Sequence, residues 1–351
     1  MEILTFLGAI KHKNSRRRPR KTAFFGDRTL IYGAPGVGKS SLLIDAAENY
    51  DNGAEFLYID LDDDRVSADA VNSELESYIA ANKIKILAID NYDEAVKLPR
   101  AIEAIYLTAK KKTEIAGFDS RELFAPDFEE FLSFTARNDP RSAFDEFLRG
   151  GAIFDLRHLD ETERVKRSQN MLKLLCNTPQ KMAILTFFLR RLAAPLTPHQ
   201  AYESLKPNIA ISKDTLYSYI NELLAARMLF AIEKFDTPNA PKKFYPFDHI
   251  LREAVSFDRA FLKTFENMIA LELIKKEREI YYADGIDLYL ADERRAVIAA
   301  PFADREAIYE RMARFAKNTQ FEKAEFITMG FSETALDRAE AVPFWEWALR
   351  Q

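Results

Sequence analysis

The stretch Gly33-Ala34-Pro35-Gly36-Val37-Gly38-Lys39-Ser40 decides the fold of this chain. It matches G-x-x-x-x-G-K-S, the phosphate-binding P-loop or Walker A pattern. Residues 29–32 form an apolar run that suits a buried strand, and good helix formers follow from Ser40. The pattern needs this strand–loop–helix context, because backbone N–H groups then converge on phosphate at a helix N-terminus. The stretch predicts a nucleotide-binding site.

The loop residues have expected roles in binding ATP and Mg²⁺. Lys39 would reach the β- and γ-phosphates, and the hydroxyl of Ser40 would ligate the metal. Because the sequence contains no guanine-reading N-K-x-D motif, ATP is the default nucleotide. The residues predicted to contact the cofactor are Gly33, Ala34, Pro35, Gly36, Val37, Gly38, Lys39, Ser40 and Ser41.

Length and composition indicate a chain of several globular domains. Its 351 residues are enough for two or three domains, and 48% hydrophobic residues speak against disorder. No apolar run approaches the ~20 residues of a membrane helix, and the N-terminus lacks the features of a signal peptide. A single cysteine, Cys176, excludes internal disulfides and a cysteine-based zinc site. We expect a cytoplasmic protein that does not bind membranes.

Charge is unevenly distributed along the chain. Residues 1–30 carry eight Lys or Arg against two acidic residues, which gives a net charge of +6. The rest of the chain has a net charge of −11, so the whole chain has −5. The run Arg16-Arg17-Arg18-Pro19-Arg20-Lys21 could contact nucleic acid or an acidic partner surface, or be a solvated arm, and we favour the arm. Nucleic-acid binding is therefore expected to be weak.

Two more apolar strands end in acidic residues. Residues 54–61 run into the turn Asp62-Asp63-Asp64, and residues 84–90 end in Asp90. An apolar run followed by Asp is the Walker B pattern, whose Asp holds Mg²⁺ beside the P-loop at the carboxyl edge of the sheet. Asp90 is thus predicted as a catalytic residue and, with Ser40, as a metal ligand.

Helices alternate with these strands. Ser73 and Glu76 have the spacing of a capping box and predict a helix start. Residues 104–109 form a fourth strand, in which Thr108 is the candidate sensor of the γ-phosphate. Such alternation predicts an α/β domain with a parallel sheet covered on both faces. Further on, Gly150-Gly151 marks a turn or hinge.

Residues 176–245 have the pattern of a winged helix. Three helices are predicted at 181–192, 198–205 and 212–227, followed by a hairpin that ends at 245. Winged helices can read DNA through the third helix, which then faces phosphates with positive charge. Here the charges of that helix cancel, since it carries Lys213, Arg227, Asp214 and Glu222. We favour a module for packing or protein contact.

The segments, taken in order, resemble a known family. They are similar to the prokaryotic AAA-type ATPases, related to the archaeal ATPases, that end in a restriction-endonuclease-like domain of unknown function. The resemblance covers nearly the whole chain, and the P-loop is its most specific part. The matching residues are 33–41, Tyr58-Ile59-Asp60-Leu61-Asp62-Asp63, 86–90, 126–131, Arg149-Gly150-Gly151, Glu272 and Ile286-Asp287.

The resemblance implies a fold and a division into domains. It implies a P-loop AAA-type ATPase domain at 1–150 with a helical extension to about 175. A winged-helix-like domain would follow at 176–245, and a degenerate α/β restriction-endonuclease-like domain at 246–351. The family's first acid falls on Asp287 and its helical acid on Glu272, but the next strand, at 297–301, has alanine and proline where the second carboxylate and the lysine belong. We therefore predict that this domain is not a nuclease.

The chain departs from the family at two positions that matter for hydrolysis. The family usually ends the Walker B strand with Asp-Glu, whose Glu polarises the attacking water, whereas this chain has Asp90-Asn91 and further acids only at Asp93 and Glu94. The family's sensor strand usually ends in Gly-Ser, where this chain has Thr108-Ala109-Lys110. The catalytic residues predicted are Lys39, Asp90 and Glu94, with slow turnover.

Three functions remain open on the sequence. The first is a Mg²⁺-dependent ATP-binding protein of AAA type, a slow ATPase or a nucleotide-driven switch. The second is a DNA-binding regulator with an ATP-controlled winged helix. The third is an interaction scaffold that ATP stabilises. In each case we expect a protein partner, which the sequence does not identify.

Overall fold

A computed structural model describes residues 20–49, 55–135, 139–276, 278–317 and 319–351. The chain divides into two compact units, Met1–Ala125 and Pro126–Gln351. The boundaries predicted at 150, 175 and 245 do not coincide with this division. The helices between 128 and 175 belong to the second unit, and one sheet continues across residue 245.

The first unit alternates strands with helices, as predicted. Its strands are β1 (Arg28–Tyr32), β2 (Phe56–Asp60), β3 (Ile86–Asp90), β4 (Ala104–Ala109) and β5 (Asp119–Glu122), and its helices are α1 (Lys39–Asn49) and α2 (Ala68–Asn82). The sequence analysis did not predict β5, because its residues, Asp-Ser-Arg-Glu, are all polar. It lies at the edge of the sheet and pairs in parallel with β1.

The sheet of the first unit has the order β2-β3-β4-β1-β5, and all its strand pairs are parallel. Apolar residues cover both faces. On one face Leu43 and Ala47 of α1 pack against the sheet, and on the other Val71 and Leu75 of α2 do. This arrangement confirms an α/β fold of the P-loop NTPase type, with the P-loop between α1 and β1, an interior strand that lies between β4 and β5.

Helix α2 begins earlier than the sequence predicted. Its N-cap is Ser67, whose hydroxyl accepts a hydrogen bond from the backbone N–H of Ala70 at 3.2 Å. Ser73, the predicted cap, lies inside the helix and donates to the carbonyl of Ala70. Ser67 is followed three residues later by Ala70 instead of Glu or Gln, so it lacks the capping-box pattern, but it is the residue at which the helix begins after the preceding turn.

The second unit begins with helices. These are α3 (Phe128–Ser133), α4 (Pro140–Gly150), α5 (Phe154–Arg157), α6 (Glu161–Leu175), α7 (Pro179–Arg190), α8 (Pro198–Leu205) and α9 (Lys213–Ala225), with the short strand β6 (Pro195–Leu196) between α7 and α8. The strands β7 (Leu229–Lys234) and β8 (Lys242–Pro246) then form an antiparallel hairpin. Three helices followed by a hairpin is the order that the sequence predicted, and its assignment as a winged helix stays a prediction.

The remainder of the second unit is a mixed α/β segment. It contains a 3₁₀ turn (His249–Ala254), α10 (Phe261–Ile274), β9 (Ile280–Ala283), β10 (Ile286–Leu290), β11 (Arg295–Ala299), α11 (Arg305–Phe315), β12 (Lys323–Thr328), β13 (Glu333–Leu336), β14 (Ala339–Pro343) and α12 (Phe344–Ala348). Strand β7 pairs in parallel with β9, so β6 to β14 form one sheet. This pairing joins the segments that the sequence analysis separated at residue 245.

No helix in the described ranges is both long enough and apolar enough to cross a lipid bilayer. The predicted location, the cytoplasm, stays a prediction.

Candidate functional site

The P-loop joins β1 to α1, and three of its glycines have positive φ. The values are +156° for Gly33, +77° for Gly36 and +99° for Gly38. A Cβ atom on Gly33 would lie 2.2 Å from the carbonyl oxygen of Leu123, next to β5. Only glycine therefore fits at the first position, because the loop passes directly over the edge of the neighbouring strand.

Lys39, the first residue of α1, folds back over the loop. Its Nζ donates to the carbonyl oxygens of Gly33 and Ala34, both at 2.9 Å, and only 9% of the residue is exposed. Burial lowers the pKa of Lys39 to about 8, while the carboxylate of Asp90 acts in the opposite direction and the ammonium of Lys110 adds to the lowering. The cation is thus held inside the loop.

Arg20 supports the loop from the chain segment before β1. Its guanidinium donates to the carbonyl of Val37 at 2.9 Å and to the carbonyl of Phe124 at 2.7 Å. The sequence analysis counted Arg20 as one cation of a basic run, and its spacing from the loop gave no sign of this contact. Of that run, Arg20 and Lys21 are described, and residues 16–19 lie outside the described residues.

Asp90 ends β3, where it is 2% exposed and held on both carboxylate oxygens. The hydroxyl of Tyr58 donates to Oδ2 at 2.9 Å, and the hydroxyl of Thr108 donates to Oδ1 in a short hydrogen bond. Burial and the Asp90 carboxylate raise the pKa of Tyr58, so its hydroxyl stays a donor. Thr108 also accepts the backbone N–H of Asn91 at 2.9 Å. Thr108, the predicted sensor, therefore orients both Asp90 and Asn91.

Asp60, at the end of β2, is a site residue that the sequence analysis did not assign. In the sheet register it lies opposite Asp90. The side-chain amide of Asn91 donates to its Oδ1 at 3.1 Å, and the backbone N–H of Asp62 donates to the same oxygen at 3.0 Å. Asn91 has a φ of +55°, which turns the chain as it leaves β3. The carboxyl ends of parallel strands meet at one edge of the sheet. The position of Asp60 at the end of an apolar strand was therefore the sequence signal that could have placed it beside Asp90.

Two more charges border this edge. Lys110, directly after β4, forms an ion pair of 2.6 Å with Asp62. Its side chain and that of Asp62 both contribute to the electrostatic field at Lys39. Glu94, the predicted catalytic acid, is an exposed residue of the turn that follows Asn91, and its role stays a prediction.

The residues predicted to bind Mg²⁺ fit that ion chemically. Ser40 is exposed in the first turn of α1, directly after the buried Lys39, and Asp90 acts on Lys39 electrostatically. A hydroxyl and a carboxylate are the hard oxygen ligands that Mg²⁺ takes, and the ion keeps several waters and substrate phosphates. The described residues hold no cluster of three or more His, Cys, Asp or Glu side chains suited to a metal.

The acids that the resemblance singled out in the second unit have structural partners. An oxygen of Glu272 accepts the backbone N–H of Phe128, the first residue of α3, at 3.0 Å. Oδ2 of Asp287 accepts from Arg311 at 2.7 Å and from the N–H of Ala299 at 2.9 Å. Each carboxylate is thus bound to a different part of the unit. The absence of nuclease activity stays a prediction.

Helix α9, the third helix of the predicted winged helix, presents a face of mixed charge. Lys213, Asp214 and Glu222 are exposed on it, and Glu222 accepts an ion pair from Lys181 at 2.8 Å. These three exposed side chains are one cation and two anions, and one of the anions pairs with Lys181, so this face carries no excess of positive charge. A DNA-reading surface would instead need unpaired cations.

Comparison with known proteins gave matches in structure alone. No protein-family profile matches the chain, and no curated protein matches it in sequence. A Walker-type ATPase of Pyrococcus abyssi is similar at 14% identity and a TM-score of 0.40, over 65% of this chain and 90% of that one. Cdc6p of Pyrobaculum aerophilum is similar at 14% identity and a TM-score of 0.24, over 74% and 90% respectively. The fold assignment rests on this chain's own sheet order and loop, and neither comparison supports a restriction-endonuclease-like domain.

Proposed function

We propose that this chain is a Mg²⁺-dependent ATP-binding protein of AAA type, acting as a slow ATPase or a nucleotide-driven switch. The observation that carries the proposal is the position of Lys39. Its ammonium group is buried between the carbonyls of a glycine loop, at the N-terminus of α1, and within the field of Asp90. A buried cation beside converging N–H groups is suited to a polyphosphate.

Different residues would bind the phosphates and the Mg²⁺ ion. The loop N–H groups and Lys39 would bind the phosphates, and Arg20 keeps the loop in shape through the carbonyl of Val37. Ser40 and Asp90 would hold Mg²⁺, which when bound neutralises phosphate charge. Tyr58 and Thr108 orient the Asp90 carboxylate, so that it needs little rearrangement on binding.

The proposed partners follow from charge and exposure. We propose a protein partner for the second unit, supported by the mixed charge of α9. The DNA-binding regulator is a weaker candidate, since its support is the basic run at 16–21, of which Arg20 already contacts the P-loop. Contact with nucleic acid would be weak and non-specific.

The test of the proposal is ATP binding by Lys39→Ala. We expect the variant to lose ATP·Mg²⁺ binding in calorimetry, because no other described side chain donates from inside the loop. In the wild type, ATP at about 100 times its Kd should stabilise the fold by about 2.7 kcal/mol, visible as a rise in Tm.

The matched control is Lys85→Ala, which removes a lysine that precedes β3 at the opposite edge of the same sheet, where it pairs with Glu103. This variant should bind ATP like the wild type. Equal ATP affinity in the wild type and Lys39→Ala, with both proteins folded by circular dichroism, would overturn the proposal.

A further inference from the structure

Arg20 connects the P-loop to the segment at which the first unit ends. Its Nη1 donates to the carbonyl oxygen of Val37, in the P-loop, at 2.9 Å. Its Nη2 donates to the carbonyl oxygen of Phe124 at 2.7 Å. Phe124 lies two residues before Pro126, where the second unit begins. We call residues 123–125 the exit segment, because the chain leaves the first unit through them.

The exit segment also packs against the start of the P-loop. The N–H of Leu123 donates to the carbonyl of Tyr32, the last residue of β1, at 2.7 Å. The carbonyl oxygen of Leu123 would lie only 2.2 Å from a Cβ atom on Gly33. Leu123 and Ala125 are both buried. The exit segment therefore contacts the first loop residue directly, and it is joined to the fifth, Val37, through Arg20.

The bond from Arg20 to Val37 fixes the orientation of one peptide group of the loop. This peptide group is trans, so its C=O and N–H point in opposite directions. Because Arg20 holds the carbonyl of Val37, the N–H of Gly38 in the same group points away from Arg20. Loop N–H groups are the donors that a phosphate would need. The direction of one such donor is therefore set by a side chain that also holds the exit segment.

We propose that Arg20 couples nucleotide binding in the P-loop to closure of the exit segment. The inference rests on the proposed function, and it describes how a nucleotide-driven switch would act in this chain. A phosphate that accepts the N–H of Gly38 favours the peptide orientation in which Arg20 holds the carbonyl of Val37. The same guanidinium then holds Phe124 more persistently, and the exit segment opens less often. Coupling is reciprocal, so a closed exit segment also strengthens ATP binding.

An arginine is suited to this role because its guanidinium is a rigid, planar fork with separate donors. Arg20 uses one terminal nitrogen for each carbonyl. A lysine ammonium is a point charge on a flexible stem and does not reproduce this fork. The variant Arg20→Lys therefore keeps the positive charge and loses the connection, while Arg20→Gln removes both.

The chain offers a matched control in Arg28, the first residue of β1. Its guanidinium also donates to backbone carbonyls, those of Ile102 at 2.9 Å and Glu103 at 3.1 Å. These contacts lie at the amino edge of the same sheet, away from the P-loop, which follows the carboxyl end of β1. Arg28→Gln thus removes an arginine with the same kind of partners from the opposite edge.

The test measures amide hydrogen exchange by mass spectrometry, with and without ATP·Mg²⁺. In the wild type, saturating ATP should slow the exchange of residues 123–125 by at least about fivefold, the lower end of typical coupling between sites. Residues 102–106, at the amino edge, should slow less, and they measure the general stabilisation by a bound ligand. The excess slowing at 123–125 should disappear in Arg20→Lys and Arg20→Gln, each studied well above its own Kd for ATP. It should persist in Arg28→Gln.

The outcomes separate this inference from the proposed function. If calorimetry shows no ATP binding by the wild type, the proposed function fails. A wild type that binds ATP, but in which residues 123–125 slow no more than 102–106, overturns the coupling alone. So does excess slowing that persists in both Arg20 variants, or that Arg28→Gln also abolishes. If neither Arg20 variant binds ATP, exchange without nucleotide decides, because residues 123–125 should then exchange faster than in the wild type, and equal rates overturn the coupling.

Discussion

Lys39 shows how burial changes the protonation of a single residue of the P-loop. Burial lowers the pKa of Lys39 to about 8. Between about pH 8 and the usual lysine value of 10.5, the folded protein therefore holds fewer protons at Lys39 than the unfolded chain does. By linkage, this residue makes the fold more stable as pH rises through that range. Phosphates bound beside the ammonium favour its charged form and raise the pKa again.

We therefore predict that ATP binding is accompanied by proton uptake that grows with pH. At pH 9 about one proton should be taken up per ATP, and at pH 7 about a tenth of a proton, because Lys39 is already charged there. Calorimetry in buffers of different ionisation enthalpy measures this directly. ATP affinity should also weaken above about pH 8, by up to about tenfold per pH unit. Equal proton uptake at both pH values would contradict the lowered pKa.

At the scale of elements, the end of α4 illustrates a turn fixed by packing. Gly151 has a φ of +71°, and the side chain of Asp248 lies against it. Asp248 is 1% exposed and accepts the N–H groups of Ala152 at 2.7 Å and Ile153 at 3.0 Å. The paired glycines, predicted to be a turn or hinge, thus form a turn that a buried carboxylate holds.

We predict that Gly151→Ala destabilises the second unit and that Gly150→Ala does not. A Cβ on Gly151 would lie 2.6 Å from Oδ1 of Asp248, which should cost about 2–5 kcal/mol in strain and displaced contacts. A Cβ on Gly150 would meet its neighbours at 3.8 Å, and a helical position favours alanine by up to about 1 kcal/mol.

Urea unfolding followed by tryptophan fluorescence measures both effects. Both tryptophans of the chain, Trp345 and Trp347, lie in the second unit, so this signal reports on that unit. Equal midpoints for the two variants would show that the contact with Asp248 does not restrict this turn.

At the scale of the whole molecule, the basic run and the third helix compete as carriers of nucleic-acid binding. We predict that any DNA binding is weak and non-specific, with a Kd of about 10⁻⁴–10⁻⁶ M at physiological salt, and that Arg16, Arg17 and Arg18 carry it. Replacing these three by serine should reduce the slope of log K against log salt by about 2–3. Arg20 is left in place, since its loss would disturb the P-loop.

The comparison variant for this prediction is Lys213→Ala, at the start of α9. It should change the slope by less than about 1, because the exposed face of α9 is close to neutral. Sequence-specific binding that survives the triple serine replacement and disappears in Lys213→Ala would favour the DNA-binding regulator instead.

Local features of the chain could be predicted from sequence because their causes are local. The order of glycines and lysine at 33–40 is dictated by the backbone shape of one loop, and the apolar runs that became β1 to β4 are long enough to require burial. The helices and hairpin between 179 and 246 likewise follow from periodicity and turn residues. These features determined the α/β fold class and the position of the candidate nucleotide site.

Tertiary structure alone decided which distant residues meet. Asp60 and Asn91 are 31 positions apart, and Arg20 and Phe124 are 104 apart, so only the parallel sheet order brings each pair within hydrogen-bond distance. The polar strand β5 forms because its backbone groups pair with those of β1. In the same way, β7 pairs with β9, although the sequence analysis placed a domain boundary between them. Neither contact leaves a pattern in the sequence, since backbone pairing is available to almost any residue.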